Sequence, residues 1–202
     1  MLRRYVLAAI GFSAMAMALP GQAEAGEDGA VATFAGGCFW CVEEFFDEVD
    51  GVLSTTSGYT GGHVEDPTYR QVVSGQTGHA EAVRVVYDPD VVSYEGLLEA
   101  FWRNVDPLDG GGQFCDRGSP YRTGIFVHDD AQRHLAEESR EEVAERLGQP
   151  VVTEITDAGA FYVAEDYHQG YYQTNPVQYL FYKTACGREA RLDDLWGEEP
   201  DS

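Results

Sequence analysis

The chain has 202 residues, with 13 Lys or Arg against 35 Asp or Glu and a formal net charge of −22. That balance excludes nucleic acid as a partner, because phosphate binding needs a basic patch and the one lysine here is Lys183. The acidic, lysine-poor surface is a solubility feature and points to no ligand of its own.

The first segment reads as a leader. Met1-Leu2-Arg3-Arg4 is a charged start, residues 5–19 are an apolar run, and Ala23-Glu24-Ala25 is a small-x-small cleavage site. This predicts a signal peptide over residues 1–25, cleavage after Ala25, and a single domain over residues 26–202. The apolar run is too short for a membrane anchor, and no later stretch reaches the ~20 apolar residues of a spanning helix. The expectation is an exported, periplasmic, monomeric protein with no membrane span in its mature form.

Residues 31–35 alternate as a strand and run into Gly36-Gly37-Cys38. Residues 39–48 follow as a helix, with Trp40, Phe45 and Phe46 inward and Glu43, Glu44 and Asp47 outward. Cys38 therefore opens a helix, where unpaired N–H groups carry partial positive charge and favour a thiolate. Asp50-Gly51 is a turn, residues 52–58 a second strand, and residues 69–73 a short helix beyond Gly58-Tyr59-Thr60-Gly61-Gly62. A third strand spans residues 80–87, and a helix capped by Ser93 runs to Arg103.

Residues 106–120 form a loop dense in Gly, Asp and Pro, long enough to suggest a functional role. A strand over residues 121–128, a charged helix capped at Asp129 or Asp130 and ending at Leu147, and a strand over residues 151–155 complete the core. The aromatic tail from Ala164 is expected to wrap the domain with two short helices. The order β-α-β, β-α-β predicts an α+β fold with a ferredoxin-like two-layer core, an additional strand and an aromatic-rich C-terminal wrap.

Three segments place reactive or donor groups beside glycines. They are Gly37-Cys38-Phe39-Trp40, then Gly58-Tyr59-Thr60-Gly61-Gly62 with Gly78-His79-Ala80-Glu81-Ala82-Val83, and Gly112-Gln113-Phe114-Cys115-Asp116-Arg117-Gly118-Ser119-Pro120-Tyr121-Arg122. Taken jointly, in this order, they resemble the peptide methionine sulfoxide reductases of the A class, which act on the S epimer of the sulfoxide. The similarity runs from about Val31 to Trp196.

The resemblance implies that Cys38 is the nucleophile, becoming a sulfenic acid as methionine leaves. It makes Glu81 the acid that protonates the departing oxygen, a role that suits a carboxyl kept neutral by burial. Tyr59 and Tyr121 match the two phenols that hold the sulfoxide oxygen, and Phe39 and Trp40 the walls of the methyl pocket. Asp116 matches an acidic residue that orients the polar side. His79 and His168 are read as structural. No metal or other cofactor is implied, and the expected partners are oxidised methionine, free or in proteins, and a thioredoxin-like thiol donor.

Many members of that family resolve the sulfenic acid with cysteines in a C-terminal tail, whereas this chain offers Cys41, Cys115 and Cys186. Cys41 is favoured as first resolver because it lies nearest in sequence, although an i, i+3 helical pair starts with Cβ atoms ~5–6 Å apart and a disulfide wants ~3.5–4.5 Å. Cys115 and Cys186 are alternative resolvers, acting as a relay or serving as a structural bridge. Two other readings compete. Cys38-Phe39-Trp40-Cys41 is also the C-x-x-C of a thioredoxin-like oxidoreductase, and four cysteines could staple an exported binding module.

Overall fold

The computed structural model describes residues 29–197, so the expected leader lies outside the described residues. The fold is α+β, built on a mixed six-stranded sheet. Four strands form its centre: β1 (Ala30–Gly36), β2 (Val52–Thr60), β3 (Ala80–Tyr87) and β6 (Thr123–Val127). They lie in the order β6-β1-β3-β2 and every neighbouring pair is antiparallel. Helix α1 (Phe39–Asp47) follows β1 and α3 (Tyr94–Arg103) follows β3, while the short α2 (Tyr69–Val73) interrupts the β2–β3 connection. The edges are β7 (Glu154–Asp157), parallel to β6, and β8 (Tyr162–Val163), antiparallel to β2.

Strand alternation decides what each face carries. Phe34 of β1 and Val83, Val85 and Tyr87 of β3 pack with Val42 and Phe46 of α1, Leu97 and Phe101 of α3, and Ala136 and Val143 of α4 (Asp130–Leu147). Each large side chain buried there contributes roughly 1.5–3 kcal/mol. Sharp ends hold the helices in place. Ser93 Oγ accepts from Gly96 N–H at 3.3 Å, Asp129 Oδ1 accepts from Gln132 N–H at 2.8 Å, and Gly148 closes α4 in the left-handed conformation. The opposite face is small: Ala35, Ala80, Ala82 and Phe126, covered by Ala158 and Phe161.

Several elements depart from the sequence expectation. The loop over residues 106–120 contains a two-stranded hairpin, β4 (Gly112–Gln113) with β5 (Asp116–Arg117), and a 3-10 turn over Ser119–Tyr121. That turn takes Tyr121 out of the strand, so β6 starts at Thr123. The strand expected over residues 151–155 starts at Glu154, and β8 carries no alternating pattern that could announce it. The tail is richer than two helices: a 3-10 turn over Asp166–His168 precedes α5 (Tyr171–Thr174), α6 (Pro176–Ala185) and α7 (Arg188–Trp196). Among the described residues no helix is long and apolar enough to cross a membrane.

Candidate active site

The site forms where β1 ends against the side of β3. Gly37 turns the chain out of β1 with φ +88°, and a Cβ there would come within 2.6 Å of the Gln113 Cβ. A glycine is needed both for that backbone and to let β4 approach. Cys38 then caps α1, its carbonyl accepting from the N–H groups of Cys41 at 3.1 Å and Val42 at 3.3 Å. Both Cys38 and Cys41 are buried and reduced.

Glu81 stands in the inward row of β3 ahead of Val83 and Val85, and directly opposite Tyr59 of β2. Its carboxylate accepts from the Phe39 N–H at 3.1 Å, so the first turn of α1 and the sheet are joined through this group. Burial pushes the Glu81 pKa up to about 8, with the charge of Asp116 adding to it and the Phe39 hydrogen bond opposing it. At neutral pH most Glu81 side chains hold a proton.

A cavity of about 80 Å³ is lined by Cys38, Phe39, Trp40, Tyr69, Glu81, Asp116, Tyr121 and Tyr182. One water needs about 10–15 Å³ of such space, so the cavity takes a few waters or the end of a side chain. Trp40 is fixed on both sides. Its ring stacks on Tyr171 at 3.8 Å, and its indole N–H donates to His168 Nδ1 at 3.1 Å. That bond makes His168 Nδ1 the acceptor, and the buried ring also lies against Phe39 and Tyr69. His79 accepts from Gly62 N–H at 3.1 Å and pairs with the Val64 carbonyl at 2.7 Å, holding the glycine-rich loop.

The two thiols share one environment with opposite outcomes. Cys41 is brought down to about 7, chiefly by a hydrogen bond from Cys38, with Arg188 and Tyr179 assisting against burial. Cys38 is pushed up, first by burial and then by Cys41. The pair therefore loses its first proton near neutrality and holds its second tightly, with one negative charge shared between two sulfurs. Against the expected help from the helix start, burial and the neighbouring Cys41 push Cys38 up.

Of the residues singled out from the sequence, the structure brings Cys38, Phe39, Trp40, Glu81, Asp116 and Tyr121 around the cavity, with Cys41 behind Cys38. Tyr59 is corrected. Its ring is fully buried, and its hydroxyl donates to Glu165 Oε2 at 2.8 Å, outside the cavity. The second phenol of the cavity is Tyr69, and burial pushes it up to about 12. Its placement had a signal in Thr68-x-x-Gln71, a capping box in which Thr68 N–H donates to Gln71 Oε1 at 2.9 Å and seats Tyr69 at the start of α2. Glu165 Oε1 accepts from the Tyr69 N–H at 2.9 Å, so one carboxylate holds both tyrosines. Tyr182, donating to Asp116, is the other lining residue that sequence reading missed. Cys115 and Cys186 are joined in a disulfide.

Residues 30–200 match the family model described as "Peptide methionine sulfoxide reductase". The chain belongs to that family. Among its relatives is the peptide methionine sulfoxide reductase MsrA of Bacillus licheniformis, 53% identical over 173 residues, covering 85% of this chain and 96% of that one. The fold is similar to that of Mxr1 from Saccharomyces cerevisiae in reduced form, with TM-score 0.71 and 32% identity over 74% of this chain and 87% of that chain. It is also similar to Mxr1 in complex with Trx2, with TM-score 0.52 and 28% identity over 71% of this chain and 85% of that chain. Membership in the methionine sulfoxide reductase family displaces the thioredoxin-like and binding-module readings of the four cysteines.

Proposed function

We propose that the chain is a peptide-methionine (S)-S-oxide reductase and that its reaction runs at Cys38. The Cys38 sulfur attacks the sulfoxide sulfur while Glu81 gives its proton to the sulfoxide oxygen. A second proton releases the oxygen as water and leaves Cys38 bonded to the methionine sulfur as a sulfonium. A water then attacks the Cys38 sulfur, that S–S bond breaks, and methionine, one proton and a Cys38 sulfenic acid result. The Cys41 thiol then attacks that sulfur, water departs, and a Cys38–Cys41 disulfide remains. Two thiols of a donor reduce the disulfide, so each sulfoxide consumes two thiols and yields one water. Yeast Mxr1 in complex with Trx2 supports a thioredoxin-like donor for this chain.

The observation that carries the reading is a fully buried carboxyl, pushed by burial towards its neutral form, in the wall of a small aromatic cavity that Cys38 also lines. The oxygen needs donors, and Glu81, Tyr69 and Tyr121 supply them from one side. The S-methyl group needs an apolar seat, and Phe39 and Trp40 supply it. Thiol, acid and methyl seat lie in three fixed directions, so one epimer of a chiral sulfur fits. The leader over residues 1–25 supports export and repair of methionine in exported proteins.

Turnover of separated S and R sulfoxide epimers of a methionine peptide with dithiothreitol tests the reaction. The S epimer is expected to react with strong preference, and equal rates would overturn the assignment. N-terminal sequencing of protein recovered from the periplasm tests export, with Gly26 expected as the first residue.

A further inference from the structure

Two links tie the end of α6 to the β4–β5 hairpin, and they are adjacent in both elements. Tyr182 donates to Asp116, and one helical turn later Cys186 is bonded to Cys115, the residue before Asp116. Cys186 N–H donates to the Tyr182 carbonyl at 3.1 Å, so the two side chains leave neighbouring positions on one helix face. The hairpin is itself held in an unfavourable shape. Phe114 at its turn has φ +52°, a left-handed backbone that is unfavourable for a residue with a side chain. The Arg188 guanidinium lies 4.6 Å over the Phe114 ring while donating to the Asn104 carbonyl.

On its other side Tyr182 reaches the nucleophile. Its ring meets Trp40 edge-on at 5.9 Å, and it packs in one cluster with Cys38, Cys41 and Tyr179. The rest of α6 is anchored less firmly. Glu44 accepts from Tyr179 and Lys183, each at 2.6 Å, while Val177, Leu180 and Phe181 face solvent.

We propose that the Cys115–Cys186 disulfide is a positioning clamp for the nucleophile and takes no part in the catalytic cycle. It holds α6 in the register that seats the Tyr182 hydroxyl between Asp116 and Cys38. The inference rests on the reduction reading above for the identity of the nucleophile. A hydroxyl donor loses its effect over a few tenths of an ångström, so a covalent tie one turn away matters to it. The Tyr182 hydroxyl has one proton, given to Asp116 here, and turning it to the neighbouring Cys38 sulfur favours the thiolate against the push of burial. The Cys41 thiol already lies beside Cys38, so resolution needs neither Cys115 nor Cys186.

The test is the pH profile of Cys38 alkylation by iodoacetamide, located by tandem mass spectrometry, beside single turnover of methionine S-sulfoxide. Tyr182→Phe and the paired Cys115→Ser/Cys186→Ser variant are each expected to slow Cys38 alkylation at pH 7 by roughly tenfold, the scale of one hydrogen bond to a charged group. The midpoint then moves up by about one pH unit. Combining all three substitutions should add nothing to Tyr182→Phe, because they act through one contact. The serine pair should still turn over repeatedly with dithiothreitol. A wild-type midpoint in the folded serine pair, or arrest after one equivalent of sulfoxide, overturns the clamp. Tyr182→Phe retains the bridge, and a wild-type midpoint there also overturns it. Failure of the wild type to reduce sulfoxide, with these alkylation shifts intact, strikes the reaction reading and leaves the clamp standing.

Discussion

The molecule carries two cysteine pairs, and their surroundings give them opposite chemistry. Cys38 and Cys41 are three residues apart on one helix, buried beneath α6, and reduced. Cys115 and Cys186 are 71 residues apart, join a hairpin to a helix end, and are bonded, with Cys115 exposed. The first pair lies beside a carboxyl that burial pushes towards its neutral form, and the second ties the β4–β5 hairpin to the end of α6. Burial and a neighbouring donor set reactivity here, while the residue type is the same in both places.

The largest effect expected from breaking this contrast is at Cys38. Cys38→Ser removes the nucleophile and should leave no measurable sulfoxide reduction, while Cys115→Ser/Cys186→Ser retains turnover with small thiols. Peptide mapping after one turnover without reductant should find Cys38 bonded to Cys41. A bridge from Cys38 to Cys115 or Cys186 would reverse the roles of the two pairs.

Next in size is Glu81. Replacement by Gln keeps an acceptor for the Phe39 N–H but cannot give up a proton, so the single-turnover rate should fall by ~10²–10⁴-fold with Cys38 still alkylatable. Wild-type rates in that variant would place the acid elsewhere. The pH profile sharpens the point. The thiol pair must lose a proton, with a midpoint of about 7, and Glu81 must keep one, with a midpoint of about 8. The wild-type rate should therefore rise through the first and fall through the second, and the falling limb should vanish in Glu81→Gln.

The same carboxyl has a measurable effect on stability. Its folded pKa of about 8 lies above the unfolded value of about 4.3, so the folded state binds the extra proton between them. Stability from this group is fully present below the unfolded value and is lost as pH rises towards about 8. Glu81→Gln should thus melt several degrees higher than wild type at pH 8, with the gap closing towards pH 4, on the order of the shifts a few kcal/mol produce. A gap independent of pH would show that Glu81 is ionised in the folded protein.

The smallest effect separates two tyrosines. Tyr69→Phe should slow the sulfoxide step, since its phenol faces the cavity. Tyr59→Phe should leave kcat near wild type and cost about 1 kcal/mol of stability from the lost bond to Glu165. Equal kinetic losses from both would contradict their placement.

Much of this was legible along the chain. The helices of the core and strand β3 matched the expected segments because strand alternation, Ser93 and Asp129 caps and the Asp50-Gly51 turn are local signals. The cavity residues Cys38, Glu81, Asp116 and Tyr121 were legible through the resemblance of their glycine-bearing segments to the family pattern. Tyr59 was misassigned because it too stands beside glycines, although its ring packs away from the cavity. Tyr182 was missed since nothing adjacent to it in sequence marks a site, and Tyr69 since the capping box beside it announces a helix start and no chemistry.

By itself, then, the sequence determined where the chain bends, which residues match a family's nucleophile and acid, and that an aromatic tail must cover something. Which tyrosines line the cavity and which cysteines pair were decided only by the tertiary structure, which brings residues 69, 121 and 182 to one cavity and Cys186 to Cys115. Turns and caps depend on neighbours within a few residues. A thiol or carboxyl takes its proton affinity from whatever encloses it, and here that enclosure comes from other segments of the chain, Phe39 and Asp116 for Glu81 and Tyr179 and Arg188 for Cys41.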